Sequence, residues 1–364
     1  VLAVIDDAVS AIATALTAER AARARAHAAN DPRAEELYLR GRHAMNRSWW
    51  WDSVDEVVGY LREAHQLAPS DARIAGTYAI ALARAYSNDI ADPAAARTSR
   101  EIAAHALALQ PEQPEALVAQ GLVHLGDCEG AAAIRELSRA LRVAPTSLDA
   151  LDGVGRILIE IGRDDDGLAL LRRASARDPE HRSSYLARAR VRALAGDSET
   201  AFEIMDEWRL AESDMLPFFV SLARLVVWTL DVDRMKALLA KLDAVEAPPR
   251  VRIPVETMLR TLVNRSLAPE SLHMMNVALP IDERPTPRRA CFNAQVRAEL
   301  AAAGNEPEIA MAALRAADAQ GLIDIAWLDR CQVLAPIRTH AEYARIRANV
   351  AVRAQRVLEA YTAN

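Results

Sequence analysis

Apolar and small residues recur three and four positions apart along most of the chain, and short polar or Gly-containing turns separate the segments that carry them. Residues 2–29 read as one helix, apolar at Val4, Ile5, Ala8, Val9, Ile12 and Leu16 and then rich in Ala and Arg. Asn30-Asp31-Pro32 is a helix start, a capping side chain followed by Pro at the first helical position. The strongest pattern lies in residues 112–179. Pro111, Pro145 and Pro179 stand 34 residues apart and close two units of equal length. The first unit carries Leu117, Gly121, Ala133, Leu137, Ala140 and Pro145, and the second has Leu151, Gly155, Gly167, Leu171, Ala174 and Pro179 at the same offsets. A pair of antiparallel helices explains these residue types. Gly or Ala at offsets 8 and 20 lets the two backbones approach, and a large apolar residue at offset 24 fills the space between them. The proline ends the second helix, because it lacks an N–H and clashes with the preceding turn.

A period of 34 is that of the tetratricopeptide helix-turn-helix repeat, which these two units resemble. The expected fold class is therefore all-α, a tetratricopeptide-repeat superhelical solenoid of antiparallel helix pairs. Residues 1–30 are expected to form a helix leading in from an upstream domain, and residues 31–213 five repeats. The first repeat opens on Leu37 to Gly41 and closes with Leu61, Ala64 and Pro69, its enlarged turn holding Trp49, Trp50 and Trp51. The second runs from Asp71 to Pro111 with an extended turn at residues 87–93. The third has Gly126 about two residues early for its turn, and the fifth carries Tyr185, Ala189, Gly196, Ala201, Met205 and Trp208. Residues 214–287 read as degenerate helical repeats and a linker, the small-residue signature fading before three prolines at residues 280–287. Residues 288–364 restore the pattern at Ala310, Leu314 and Ala317, and the last 30 form a helix expected to cap the stack.

At 364 residues the chain is long for one globular core, but stacked helix pairs contact only their neighbours and have no such limit. A net charge of -6 and a pI near 5.8 give no general attraction to nucleic acid or anionic membrane. Cys128, Cys291 and Cys331 lack paired spacing, which points to a reducing cytoplasm. No apolar run is long enough to span a membrane. The chain opens at Val1 and not at Met, as expected of an excised fragment.

The sequence assembles no catalytic group, cofactor site or metal site. Gly153-Val154-Gly155 has the wrong continuation for a phosphate loop and sits inside a helix. His124 and Cys128 are four apart, but Gly126 interrupts them and no second pair is evident. His273-Met274-Met275 reads better as a buried helix face than as a soft-metal site. Asp164-Asp165-Asp166-Gly167 lacks the alternating ligands of a calcium loop and reads as a solvated turn opening a helix. The lysine, catalytic-loop and metal motifs of protein kinases are absent, and the chain is expected not to be an enzyme.

Two stretches resemble a known context. Asp31-Pro32 and Leu37-Tyr38-Leu39-Arg40-Gly41-Arg42-His43 are similar to the opening of the repeat region in large bacterial signalling proteins. In these a serine/threonine kinase, adenylate-cyclase or winged-helix output domain is joined to tetratricopeptide repeats. Gly321 to Cys331 and Leu334-Ala335-Pro336-Ile337-Arg338 resemble the closing segment of the kinase-linked members. The resemblance implies a non-catalytic interaction or regulatory module whose parent protein carries a kinase domain upstream.

What remains is surface. The first helix of each pair lines the inner face of such a stack, which puts Arg73, Arg84, Asp152, Arg156, Glu160, Leu186 and Arg190 on the expected groove. That wall is either solvated and of mixed charge or a groove for an extended or helical partner segment, its arginines meeting acidic side chains. Chaperone-binding relatives use a carboxylate clamp of Lys and Asn that is missing here. Three consecutive Trp on a helix point in three directions, so the extended turn either buries them or leaves them to dock an upstream domain or partner. A rival reading is a small-ligand sensor, with residues 215–279 closing a pocket and passing a change to an attached output domain.

Overall fold

The computed structural model describes residues 31–47, 54–87, 93–178, 182–211, 215–242, 249–281 and 286–363. Among them the chain is all-α, with no strand. Five antiparallel pairs come first: α1 (Pro32–Arg47) with α2 (Val54–Leu67), α3 (Ala72–Ser87) with α4 (Ala94–Leu109), α5 (Pro114–Gly126) with α6 (Gly130–Val143), α7 (Leu148–Glu160) with α8 (Asp164–Arg177), and α9 (Arg182–Leu194) with α10 (Ser198–Ala211). Then follow α11 (Met215–Thr229), α12 (Val232–Lys241), α13 (Pro249–Asn264), α14 (Pro269–Ala278), and the late pair α15 (Pro287–Ala303) and α16 (Pro307–Ala319). A short α17 (Ile325–Arg330), a 3-10 turn (Gln332–Ile337) and the long α18 (Ala341–Thr362) end the chain. This is a tetratricopeptide-repeat solenoid.

The small residues act as the spacing predicts. A Cβ added to Gly167 would meet the Gly155 carbonyl oxygen at 2.5 Å and Ile159 Cγ1 at 2.7 Å, so α7 and α8 touch backbone to backbone. One unit earlier Gly121 lies under Leu137, whose Cγ would stand 2.6 Å from an added Cβ. Leu117, Leu137, Leu151 and Leu171 are fully buried or nearly so. Helix starts follow local chemistry: the Gln113 side chain accepts from the Glu115 and Ala116 amides, Ser147 caps α7 and Thr286 caps α15.

The turns keep the register even where the residue type changes. Cys128 (φ 59°), Gly162 (φ 82°) and Gly196 (φ 84°) all adopt left-handed backbone, and they fall 34 residues apart. Gly126 therefore ends α5 in phase with the later units, and the turn residue proper is Cys128. Glycine occupies this conformation at little cost, whereas a cysteine is strained by about 1 kcal/mol.

The C-terminal segment does more than cap the last pair. Helix α18 packs against α16 and also against α6, far back in the chain. Gly130, at the start of α6, lies beneath Val357 and Ile323, with Val357 Cγ2 at 2.9 Å from where a Cβ would be. Ile323, Ala354, Val357 and Ala360 share one hydrophobic core with residues of the first four pairs, and a second core joins α9 and α10 to the helices after them.

Candidate functional site

The expected groove residues fall in two places. From α1 to Asp178 the face carries no later segment of the chain among the residues lining its cavity. Arg73 donates to Glu35 at 2.6 Å and lies 4.0 Å over the Tyr38 ring, and Arg84 joins Asp149 and the Met45 carbonyl. A cavity of about 550 Å³ here is lined by Arg42, Thr77, Ile80, Glu115, Asp149 and Arg177, among others. Its walls come from α1, α3, α5, the start of α7 and the end of α8. This half is polar and of mixed sign.

Over α7 and α9 the face is covered. Arg156, Glu160, Leu186 and Arg190 line a second cavity of about 250 Å³, closed by Trp228 of α11, Arg288 and Phe292 of α15, and Leu322, Asp324 and Trp327. Asp152 stands 3.5 Å from Arg156 and is not among the residues lining the cavity. The closure is held by ion pairs across long stretches of sequence. Arg190 Nη2 reaches both Asp324 oxygens at 2.7 Å, Arg288 pairs with Glu160, and Arg330 pairs with Asp164. Asp324 is also the N-cap of α17, accepting from the Trp327 amide at 3.0 Å and from Gln295 Nε2 at 3.2 Å. Behind it the fully buried Glu299 accepts from Arg224, from Trp228 Nε1 at 2.9 Å and from Trp327 Nε1 at 2.7 Å.

The charges in this closure are tuned by burial and pairing. Burial disfavours the Glu160 carboxylate, but Arg288, Arg190 and Arg156 together outweigh it and hold the group below its ordinary range. At Asp324 burial is the largest influence and holds the carboxyl above its ordinary range, against the pull of Arg190. The groove arginines thus meet acidic side chains of their own chain. Sequence reasoning did not single out Asp324, Trp327, Glu299, Trp228 or Arg288 as partners of that groove, because nothing local ties them to α7 and α9.

His124, Cys128, Asp164 to Asp166 and His273 to Met275 lie outside the linings of both cavities. His124 Nδ1 sits 2.5 Å from Glu129, while the Cys128 sulfur is 3.7 Å from that of Cys291. Asp166 pairs with Arg163 at the opening of α8, beside the Asp164–Arg330 contact. Met275 is buried, but His273 and Met274 are exposed, so only one of these three residues lies on a buried face. Trp49, Trp50 and Trp51 lie outside the described residues.

No protein-family model matches the sequence, and no curated protein matches it. Several solved structures are similar in part. PilF of Pseudomonas aeruginosa is 15% identical, covering 58% of this chain and 91% of its own, with a TM-score of 0.40. A tetratricopeptide repeat protein from Parabacteroides merdae is 13% identical, covering 75% and 98%, with a TM-score of 0.42. The TPR domain of P58(IPK) is 11% identical, covering 90% and 98%, with a TM-score of 0.25. At such values the likeness says nothing of function, and the fold class rests on the helix pairing itself.

Proposed function

We propose that this chain is a non-catalytic protein-interaction and regulatory module that takes a partner segment in the open half of its groove. The supporting observation is the cavity of about 550 Å³ that runs across the first helices of four successive pairs. Such a surface suits an extended or helical segment, whose acidic side chains would meet Arg42 and Arg177 and whose basic ones would meet Glu115 and Asp149. The resemblance at both ends of the chain adds a context: a cytoplasmic bacterial signalling protein, with a serine/threonine kinase domain upstream that the repeats hold near its targets.

Site-specific cross-linking tests the reading. A photoreactive side chain replacing Thr146, exposed on the groove wall, is expected to capture a defined segment of one partner in the native cytoplasm. The same group at exposed Val352 on α18 serves as the control. Arg42→Glu together with Arg177→Glu is expected to abolish capture at residue 146. Capture that is equal at both positions, or indifferent to the charge reversal, rules the groove out.

A further inference from the structure

The covered half of the groove has the chemistry of a small-molecule site. Among the described residues Arg190 and Arg288 each reach a carboxylate through Nη2, while a guanidinium carries five N–H donors in a planar fork. Both line the cavity, where their side chains keep 12% and 24% of their exposure. Arg224 lies between two rings, 5.1 Å from the Trp228 centroid and 4.5 Å from that of Phe292, which fixes its plane. The lining also holds Glu160 and Asp324, the carboxylates already paired with these arginines, and the apolar side chains of Ile159, Leu186 and Leu322.

We propose that this cavity binds a small organic carboxylate with a planar or branched apolar body. A carboxylate matches the flat donor fork of arginine, the apolar side chains take the remainder, and about 250 Å³ is too little for a nucleotide. Because α11, α15 and residues 322–327 all contribute to the cavity, a ligand there would bridge the first pairs to the C-terminal half. The site is separate from the open groove, and either can fail without the other.

Calorimetric titration of the chain with benzoate, phenylacetate, benzamide and inorganic phosphate tests it. One of the two carboxylates is expected to bind with Kd below about 1 mM, and benzamide and phosphate at least about tenfold more weakly. Leu186→Trp fills the cavity without touching a charge and is expected to remove carboxylate binding while leaving the circular dichroism unchanged. Benzamide binding as well as benzoate, phosphate binding best, or no probe binding at all overturns the proposal. This comparison on the unaltered chain decides even if the variant misfolds.

The turn register independently points to a second site. Cys128 holds a strained left-handed backbone where the next two units have glycine, and its sulfur faces that of Cys291 at 3.7 Å, across 163 residues of sequence. We infer that these two thiols are an oxidation-sensitive pair that joins the third repeat to α15 when hydrogen peroxide is present. The Cys128 thiol gives up its proton, the thiolate attacks one peroxide oxygen, the O–O bond breaks, and the departing hydroxide takes up that proton and leaves as water, giving a sulfenic acid. Cys291 then attacks the Cys128 sulfur, the S–O bond breaks, and hydroxide leaves with the Cys291 proton as a second water. Two thiols are oxidised and one peroxide is reduced. Closing to a bond requires roughly 1.7 Å of approach. The hydrogen bond with Cys291, aided by the Arg288 guanidinium, holds the Cys128 thiol below its ordinary range, as an attacking sulfur needs.

Peptide mapping of the peroxide-treated folded chain without reductant is expected to show a 128–291 cross-link and an unmodified Cys331. In Cys291→Ser, dimedone is expected to label Cys128 as its sulfenic acid. Cross-links that involve Cys331, dimers between chains, or an unreacted Cys128 in the folded protein overturn the assignment.

Discussion

Gly167 and Cys128 show how much one residue decides in this fold. Replacing Gly167 by Ala drives a methyl into the Gly155 carbonyl, a backbone atom that cannot swing away, and against the Ile159 side chain. We expect a loss of about 3 kcal/mol in urea unfolding. Gly196 has nothing within 4 Å of an added Cβ and only its left-handed φ to defend, so Gly196→Ala should cost about 1 kcal/mol. These glycines were legible in the sequence because packing repeats every 34 residues. The turn at Cys128 was not, because residue type there departs from the repeat while backbone shape does not. His65 makes a pH prediction at the same scale. Burial, and then the neighbouring His105, lowers its pKa below the unfolded value, so the fold favours the neutral ring. Its contribution is complete above the unfolded pKa and is lost as pH falls through the folded one. The urea midpoint should drop as pH falls below about 6.5, the unfolded value, and His65→Gln should flatten that dependence.

Among the elements, α18 is the one whose partner could not be read. Its stripe of Tyr343, Ile346, Val350, Ala354, Val357 and Ala360 is buried at helical spacing, so the sequence says that one face is covered. It does not say by what, because α6 lies far away in the chain and no local period links the two. Val357→Ala should cost about 2 kcal/mol. More tellingly, amide hydrogen exchange in α6 should speed up, whereas in an open stack a change in the last helix reaches only its neighbour. Unchanged exchange in residues 130–143 would refute this coupling.

Over the whole molecule, ion pairs hold the two halves together, among them Arg190 with Asp324, Arg288 with Glu160 and Arg330 with Asp164. The sequence placed Arg156, Arg190 and Glu160 on one inner wall, and the structure does bring them to one cavity. What periodicity could not supply was the occupant, since Asp324 and Arg288 belong to segments outside the regular repeats. Breaking a partly buried pair by losing one partner leaves a charge only partly compensated by solvent, so Arg288→Met alone should destabilise the chain by about 2 kcal/mol. Adding Glu160→Met should restore much of that loss, and a double-mutant cycle followed by thermal melting measures the coupling. Independent, additive losses would mean that the two side chains do not depend on each other.

The docking of α18 on α6 also bears on how the protein is made. About two hundred residues separate the end of α6 from the start of α18. At ~5–20 residues per second, the third repeat leaves the ribosome on the order of 10–40 s before its cover exists. During that interval the seam around Gly130 is a bare apolar strip on an otherwise assembled stack, a surface for a chaperone to hold until the last helix arrives.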